Sequence, residues 1–96
     1  MTLQELRTTR RMEILQVAAK RGATNVRVFG SVARGESDEK SDVDFLVDLE
    51  PGRTLFDLSG LLLDLERVLE APVDVVTERG LRPRVRARVL AEAVTL

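Results

Sequence analysis

The sequence predicts an α+β fold, in which helices cover one face of a small mixed sheet. Short segments rich in β-branched residues alternate with longer segments whose apolar residues recur every three or four positions. The order of these segments along the chain is helix, strand, strand, helix, strand, helix. Because 96 residues supply one modest core, we expect residues 1–96 to form a single domain.

The first third of the chain is predicted to contain a helix, a strand and a tight turn. Residues 3 to about 21 carry apolar positions at helical spacing, and Gly22 is a suitable residue to end this helix. The segment NVRVF, residues 25–29, is β-branched and leads into Gly30, which indicates a strand followed by a turn. Residues 31–34 are expected to form one helical turn before the exposed polar loop GESDEKSD.

A second strand is predicted at residues 43–49, where the segment VDFLVDL alternates strictly between apolar and other residues. One face of this strand holds Val43, Phe45, Val47 and Leu49, and the other holds Asp44, Leu46 and Asp48. Asp42 extends the acidic face, because side chains two positions apart on a strand point the same way. We expect the acidic face to be open to solvent.

The remainder of the chain is predicted to form a core helix, a third strand and a last helix. Leucines at steps of three and four indicate a helix over residues 54–70. Its apolar stripe is expected to consist of Leu55, Leu58, Leu62, Leu65 and Leu69. Ala71-Pro72 ends this helix, VDVVT at residues 73–77 forms a strand, and residues 81 to about 94 form the last helix.

Composition and charge exclude several classes of protein. A net charge of −1 and a pI near 5.5 argue against binding along a nucleic-acid backbone, which normally requires a basic surface. The chain has neither Cys nor His, so only oxygen atoms can ligate a metal, which favours Mg²⁺ or Mn²⁺ over zinc. No apolar run is long enough to span a membrane, and the charged start is unlike a signal peptide, so we expect a soluble cytoplasmic protein.

Two groups of residues suggest chemistry. Asp42 and Asp44 project from one strand face, and Asp74 interrupts the apolar third strand, so the three carboxylates are candidate ligands of one divalent cation. The turn that begins with Gly30-Ser31 offers backbone amides and a hydroxyl to a phosphate, and Arg34 adds a positive charge. Each group alone also has an ordinary explanation, as a solvated strand face or a common turn.

The combination resembles a known signature. Gly30-Ser31, followed by ten residues and then Asp42-Val43-Asp44, resembles the Gly-Ser…Asp-x-Asp motif of the DNA polymerase beta-like nucleotidyltransferase superfamily. Asp74 matches the third acid of that superfamily, and residues 26–77 as a whole resemble its minimal (MNT) branch. The resemblance implies a nucleotidyltransferase palm fold, Mg²⁺ held by the three acids, which are also the catalytic residues, and triphosphate contacts from the glycine and serine.

The resemblance also implies a function. MNT proteins act as antitoxins of HEPN ribonuclease toxins encoded nearby, and catalytically competent members transfer AMP from ATP to a tyrosine of the toxin. This chain contains no Tyr, so the acceptor would belong to that partner, in a hetero-oligomer. Two alternatives stay open: an antitoxin that neutralises the toxin by stoichiometric binding alone, and a free-standing transferase acting on a small molecule or a nucleic-acid end.

Overall fold

Helices and strands alternate along residues 1–96, all of which are described by this computed structural model. The helices are α1 (Leu3–Arg7), α2 (Arg11–Lys20), α3 (Gly30–Arg34), α4 (Leu55–Leu69) and α5 (Pro83–Glu92). The strands are β1 (Ala23–Phe29), β2 (Val43–Leu49), β3 (Val73–Val76) and β4 (Val94–Thr95), and a short 3-10 helix occupies Glu78–Gly80. None of the helices combines the length and apolar character needed to cross a membrane.

The four strands form one mixed sheet in the order β3-β2-β1-β4. Strand β1 is antiparallel to both β2 and β4, whereas β2 and β3 are parallel. The parallel pair requires a crossover connection, which α4 supplies between the two strands. The predicted α+β class with a small mixed sheet is therefore confirmed.

The main core lies between one face of the sheet and helices α1, α2 and α4. The apolar face of β2 enters this core, and Phe45 at its centre is fully buried. The helices contribute Leu6 from α1, Ile14 and Ala18 from α2, and Leu61, Leu65 and Leu69 from α4. The strictly alternating pattern of β2 thus reports which side of the strand faces the helices.

Several boundaries differ from the sequence prediction, most clearly in the first and last helices. The first helix is two helices, because the chain breaks at residues 8–10, where the Thr8 hydroxyl donates a hydrogen bond to the Gln4 carbonyl at 2.8 Å. Threonine side chains that bond to the backbone in this way compete with helix continuation. The last helix ends at Glu92, because Val94 pairs with Val28 as part of strand β4, which the sequence did not predict.

Two burial patterns also differ. On α4 the predicted Leu65 and Leu69 are buried as expected, but Leu61 is fully buried as well, whereas Leu55 is 77% exposed at the start of the helix. On the acidic face of β2, Leu46 is fully buried although its neighbours Asp44 and Asp48 reach solvent. The acidic face is therefore open at its aspartates and closed at the leucine between them.

Candidate active site

The predicted Gly-Ser turn is packed directly against the first acidic strand. Strand β1 ends at Phe29, whose pairing partner on β2 is Asp44, and Gly30 follows at a φ of +74°. A Cβ atom placed on Gly30 would collide with Oδ2 of Asp44. Glycine is thus required here both for the left-handed backbone and for the close approach of the carboxylate.

The three predicted acids come together at the same end of the sheet. Asp44 and Asp74 are directly paired on the parallel strands β2 and β3, and Asp42 precedes β2 by one residue. Burial, together with the negative charges of Asp74 and then Asp42, raises the pKa of Asp44 to about 6. The shift indicates that the carboxylates lie close enough to repel one another.

Unlike three of the four other aspartates of the chain, these three acids form no salt bridge. Asp48, Asp57 and Asp64 each form a salt bridge with an arginine, at 2.9, 3.3 and 2.9 Å respectively. None of the salt bridges of the chain involves Asp42, Asp44 or Asp74. No salt bridge within the protein therefore neutralises these three carboxylates.

The donor set fits a hard divalent cation, although the carboxylates are not yet arranged as a finished cage. No group of three or more acidic side chains is already disposed to hold a metal ion. Unscreened like charges a few ångströms apart repel, so side chains without a cation between them are expected to splay. Strand pairing holds the backbones of Asp44 and Asp74 side by side.

The phosphate side of the predicted site carries an ion pair that the sequence did not indicate. Arg34, at the end of α3, donates from Nη1 to Oε1 and Oε2 of Glu92 at 3.1 and 3.2 Å. The Gly30 amide donates to the same Oε1 at 2.8 Å, and Ser31 is partly buried beside it. Glu92 was missed because it lies 62 positions from Gly30 and belongs to no local motif.

Asp48 shares the acidic face of β2 but has a different role. Its Oδ1 accepts a hydrogen bond from Nη2 of Arg27 at 2.9 Å, and its Oδ2 accepts one from Asn25 at 3.1 Å. These contacts tie β2 to β1 at the end of the strand away from Asp44. Asp48 therefore stabilises the sheet and is a natural control for the acids of the site.

Two cavities of the protein do not include the acids in their lining. A cavity of about 530 Å³ lies beyond the carboxyl end of β2, lined by residues 47–53 and 77–79. A second, of about 360 Å³, lies between the start of α1 and α3. Neither of these two cavities is lined by Asp42, Asp44 or Asp74.

Comparison with known proteins agrees with this geometry. A family model described as "Nucleotidyltransferase domain" matches residues 11–96. "Protein adenylyltransferase MntA" of Thermococcus cleftensis is 35% identical over 98% of this chain and 95% of its own length. "Putative protein adenylyltransferase MJ0435" of Methanocaldococcus jannaschii is 42% identical over 85% of this chain and 88% of its own.

Solved structures show the same fold. One described as "Structure of putative minimal nucleotidyltransferase" has a TM-score of 0.86 and 55% identity, and the match covers 100% of this chain and 97% of the other. Another, "Crystal structure of the toxin-antitoxin with AMP-PNP", has a TM-score of 0.75 at 20% identity, covering 88% of this chain and 69% of the other, and supports the fold alone. The predicted resemblance is confirmed: the chain belongs to the nucleotidyltransferase domain family and is a nucleotidyltransferase.

Proposed function

We propose that this chain is an antitoxin that transfers AMP from ATP to a tyrosine of a HEPN ribonuclease toxin encoded nearby, and thereby neutralises it. The observation that carries the proposal is the contact between the Gly30 turn and Asp44, with Asp74 paired alongside. It joins a phosphate-binding turn to a cluster of unpaired carboxylates. Relatives named protein adenylyltransferase support a protein acceptor.

In this proposal the two halves of the site have separate roles. Asp42, Asp44 and Asp74 hold Mg²⁺ or Mn²⁺, since both ions prefer oxygen ligands. When bound, the metal supplies positive charge that stabilises the attacking and leaving oxygens of an in-line displacement. Gly30, Ser31 and Arg34 bind the β- and γ-phosphates of ATP, with hydrogen bonds strengthened by charge.

The proposed reaction is a nucleotidyl transfer with a single displacement at phosphorus. The phenol oxygen of the acceptor tyrosine forms a bond to the α-phosphorus of ATP, and the bond from that phosphorus to the bridging oxygen breaks. Pyrophosphate leaves, and the phenol proton passes to a carboxylate of the cluster. Asp74 is our candidate for that base because it is exposed at the edge of the sheet, on the side an acceptor can approach.

The surroundings of the site support a macromolecular acceptor. The chain has no Tyr, so a tyrosine acceptor comes from another molecule. Asp42 and Asp74 are exposed, so a protruding side chain of a partner can reach them. We therefore infer a hetero-oligomer with the toxin, formed in the cytoplasm, where ATP is available.

The test is intact mass spectrometry of both proteins. The chain is mixed with the HEPN protein encoded beside it, ATP and MgCl₂, and the same is done with an Asp42→Asn/Asp44→Asn variant. We expect the HEPN protein to gain mass in steps of one AMP with the wild-type chain only. Asp48→Asn is the matched control, because it removes a carboxylate from the same strand face without touching the site, and should leave the transfer intact.

An unmodified HEPN protein that is nevertheless bound and inhibited would contradict the proposal. That outcome would favour neutralisation by stoichiometric binding. Transfer of AMP to a small molecule or a nucleic-acid end, with none to the HEPN protein, would instead favour a free-standing transferase.

A further inference from the structure

The carboxylate of Glu92 occupies the donors that the proposed function assigns to phosphate. Its Oε1 accepts hydrogen bonds from the Gly30 amide at 2.8 Å and from Nη1 of Arg34 at 3.1 Å, and its Oε2 lies 3.2 Å from the same nitrogen. The side chain of Glu92 is only 22% exposed, so this is an inserted group rather than a loose surface contact. A carboxylate presents two negative oxygens to these donors much as a phosphate would.

We propose that Glu92 is an internal competitor of the nucleotide, which holds the Gly30 amide and Arg34 until the triphosphate displaces it. The inference rests on the proposed function, because it assumes that these donors bind phosphate. One N–H group makes one strong hydrogen bond, so the Gly30 amide cannot serve Glu92 and a phosphate oxygen together. Release of Glu92 is therefore a step of nucleotide binding.

The position of Glu92 in its helix favours a group that can be released. Glu92 is the last residue of α5, and no basic residue lies in that turn. An acid at the carboxyl end of a helix is disfavoured by the partial negative charge of the unpaired carbonyl groups there. Only its hydrogen bonds with Gly30 and Arg34 hold Glu92 in place. A triphosphate carries more negative charge than a carboxylate, so we expect these two donors to exchange Glu92 for it.

The neighbouring acids add to the competition. Glu92 accepts a hydrogen bond from the Gly30 amide, and the Asp44 carboxylate packs against Gly30, so the two negative charges lie against the same residue. A nucleotide arriving with its divalent cation brings the positive charge that relieves the repulsion among the aspartates. Glu92 has no such compensation once phosphate has taken its two donors, and it is expected to turn toward solvent.

A positioning role for Glu92 predicts the opposite change in nucleotide affinity. If Glu92 only positioned the turn and Arg34 for the nucleotide, removing it would loosen both and weaken nucleotide binding. If it competes, removing it strengthens binding. Removal of Glu36 is the control for a general effect of charge. Glu36 also pairs with Arg34, at 3.4 Å, but does not contact Gly30.

The experiment is isothermal titration calorimetry with α,β-methylene-ATP and MgCl₂, which binds without being cleaved at the α–β bond. It compares the wild-type chain with Glu92→Ala and Glu36→Ala. We expect Glu92→Ala to lower the Kd about tenfold, the size of one charge-assisted hydrogen bond, and Glu36→Ala to change it much less. Thermal melts check folding, and Glu92→Gln, which keeps the shape and removes the charge, replaces the alanine variant if that variant melts early.

Nuclear magnetic resonance supplies a readout that does not depend on affinity. In the wild-type chain the Gly30 amide resonance should move on nucleotide addition, while in nucleotide-free Glu92→Ala it should already be displaced from its wild-type position. Unchanged or weaker binding by Glu92→Ala, with a wild-type chain that binds, overturns the inference alone. No binding by any variant overturns the proposed function as well.

Discussion

Gly30 carries two constraints in one residue, a left-handed backbone at φ +74° and contact with Asp44. Gly35 has the same φ of +74° but open space around its Cβ position, so the pair separates backbone strain from collision. We expect Gly35→Ala to lower the free energy of unfolding by about 1 kcal/mol. Gly30→Ala should cost about 1–3 kcal/mol more, as overpacking does, and should abolish nucleotide binding.

Urea denaturation and calorimetry with α,β-methylene-ATP check both expectations for the two glycines. Equal losses of stability from Gly30→Ala and Gly35→Ala would show that Asp44 does not press against the turn. Asp44 would then not be held against the Gly30 turn, and the proposal that the turn and the aspartates form one site would be wrong.

The pKa of Asp44 predicts how stability depends on pH in the metal-free protein. Its folded-state pKa of about 6 lies above the ordinary 3.8, so the folded state binds more protons than the unfolded state between these values. The favourable contribution of Asp44 to the free energy of unfolding is therefore fully present below about pH 4 and is lost as the pH rises to about 6. Asp44→Asn removes the charge and should stabilise the metal-free protein at pH 7 by about 1 kcal/mol, a modest value because Asp44 is partly exposed.

Urea denaturation in a chelating buffer at several pH values measures this effect. The gain from Asp44→Asn should vanish toward pH 4, and Asp48→Asn should show no such gain, since Asp48 has Arg27 as its partner. A gain from Asp44→Asn that is the same at pH 4 and pH 7 would mean that charge repulsion is not its cause.

At the scale of elements, the predicted leucine stripe of α4 holds at Leu58, Leu62, Leu65 and Leu69, but it wrongly includes Leu55 and omits Leu61. Leu61 is fully buried and Leu55 is 77% exposed, so Leu61→Ala should cost about 2–5 kcal/mol and Leu55→Ala under about 0.5 kcal/mol. Differential scanning calorimetry of the two variants measures the difference. Similar losses from both would mean that Leu55 contributes to the core as much as Leu61 does.

The element boundaries that the sequence missed have local and distant causes. The break between α1 and α2 has a local signal, two consecutive threonines, one of which bonds back to the helix. Strand β4 has almost none, since its two residues form a strand only because β1 offers an edge to pair with. A segment this short has no periodicity from which to recognise it.

For the whole molecule, binding of the proposed metal should appear as added stability. A ligand that binds only the folded state stabilises it in proportion to the logarithm of its concentration, by about 2.7 kcal/mol at one hundred times its Kd. MgCl₂ should therefore raise the melting temperature of the wild-type chain above that in KCl of equal ionic strength. Asp42→Asn/Asp44→Asn should lose this response, and a variant that keeps it in full would remove these acids from the metal site.

The sequence by itself determined the fold class, the family and the acids that meet in the site. Gly30-Ser31 and Asp42-Val43-Asp44 are recognisable because each reports local geometry: a turn that tolerates only glycine, and a strand whose alternate residues share a face. The structure brings these residues and Asp74 together as expected, while their roles in binding metal and nucleotide stay predictions for the experiments above.

Only the tertiary structure decided how that site is completed and covered. Glu92 at the Gly30 amide, the burial of Leu46 and the pairing of β4 with β1 all join positions far apart in the chain. Such contacts depend on how the last helix packs and where the chain turns after it. Local periodicity states which face of an element is apolar, but it does not state which distant residue will lie against that face.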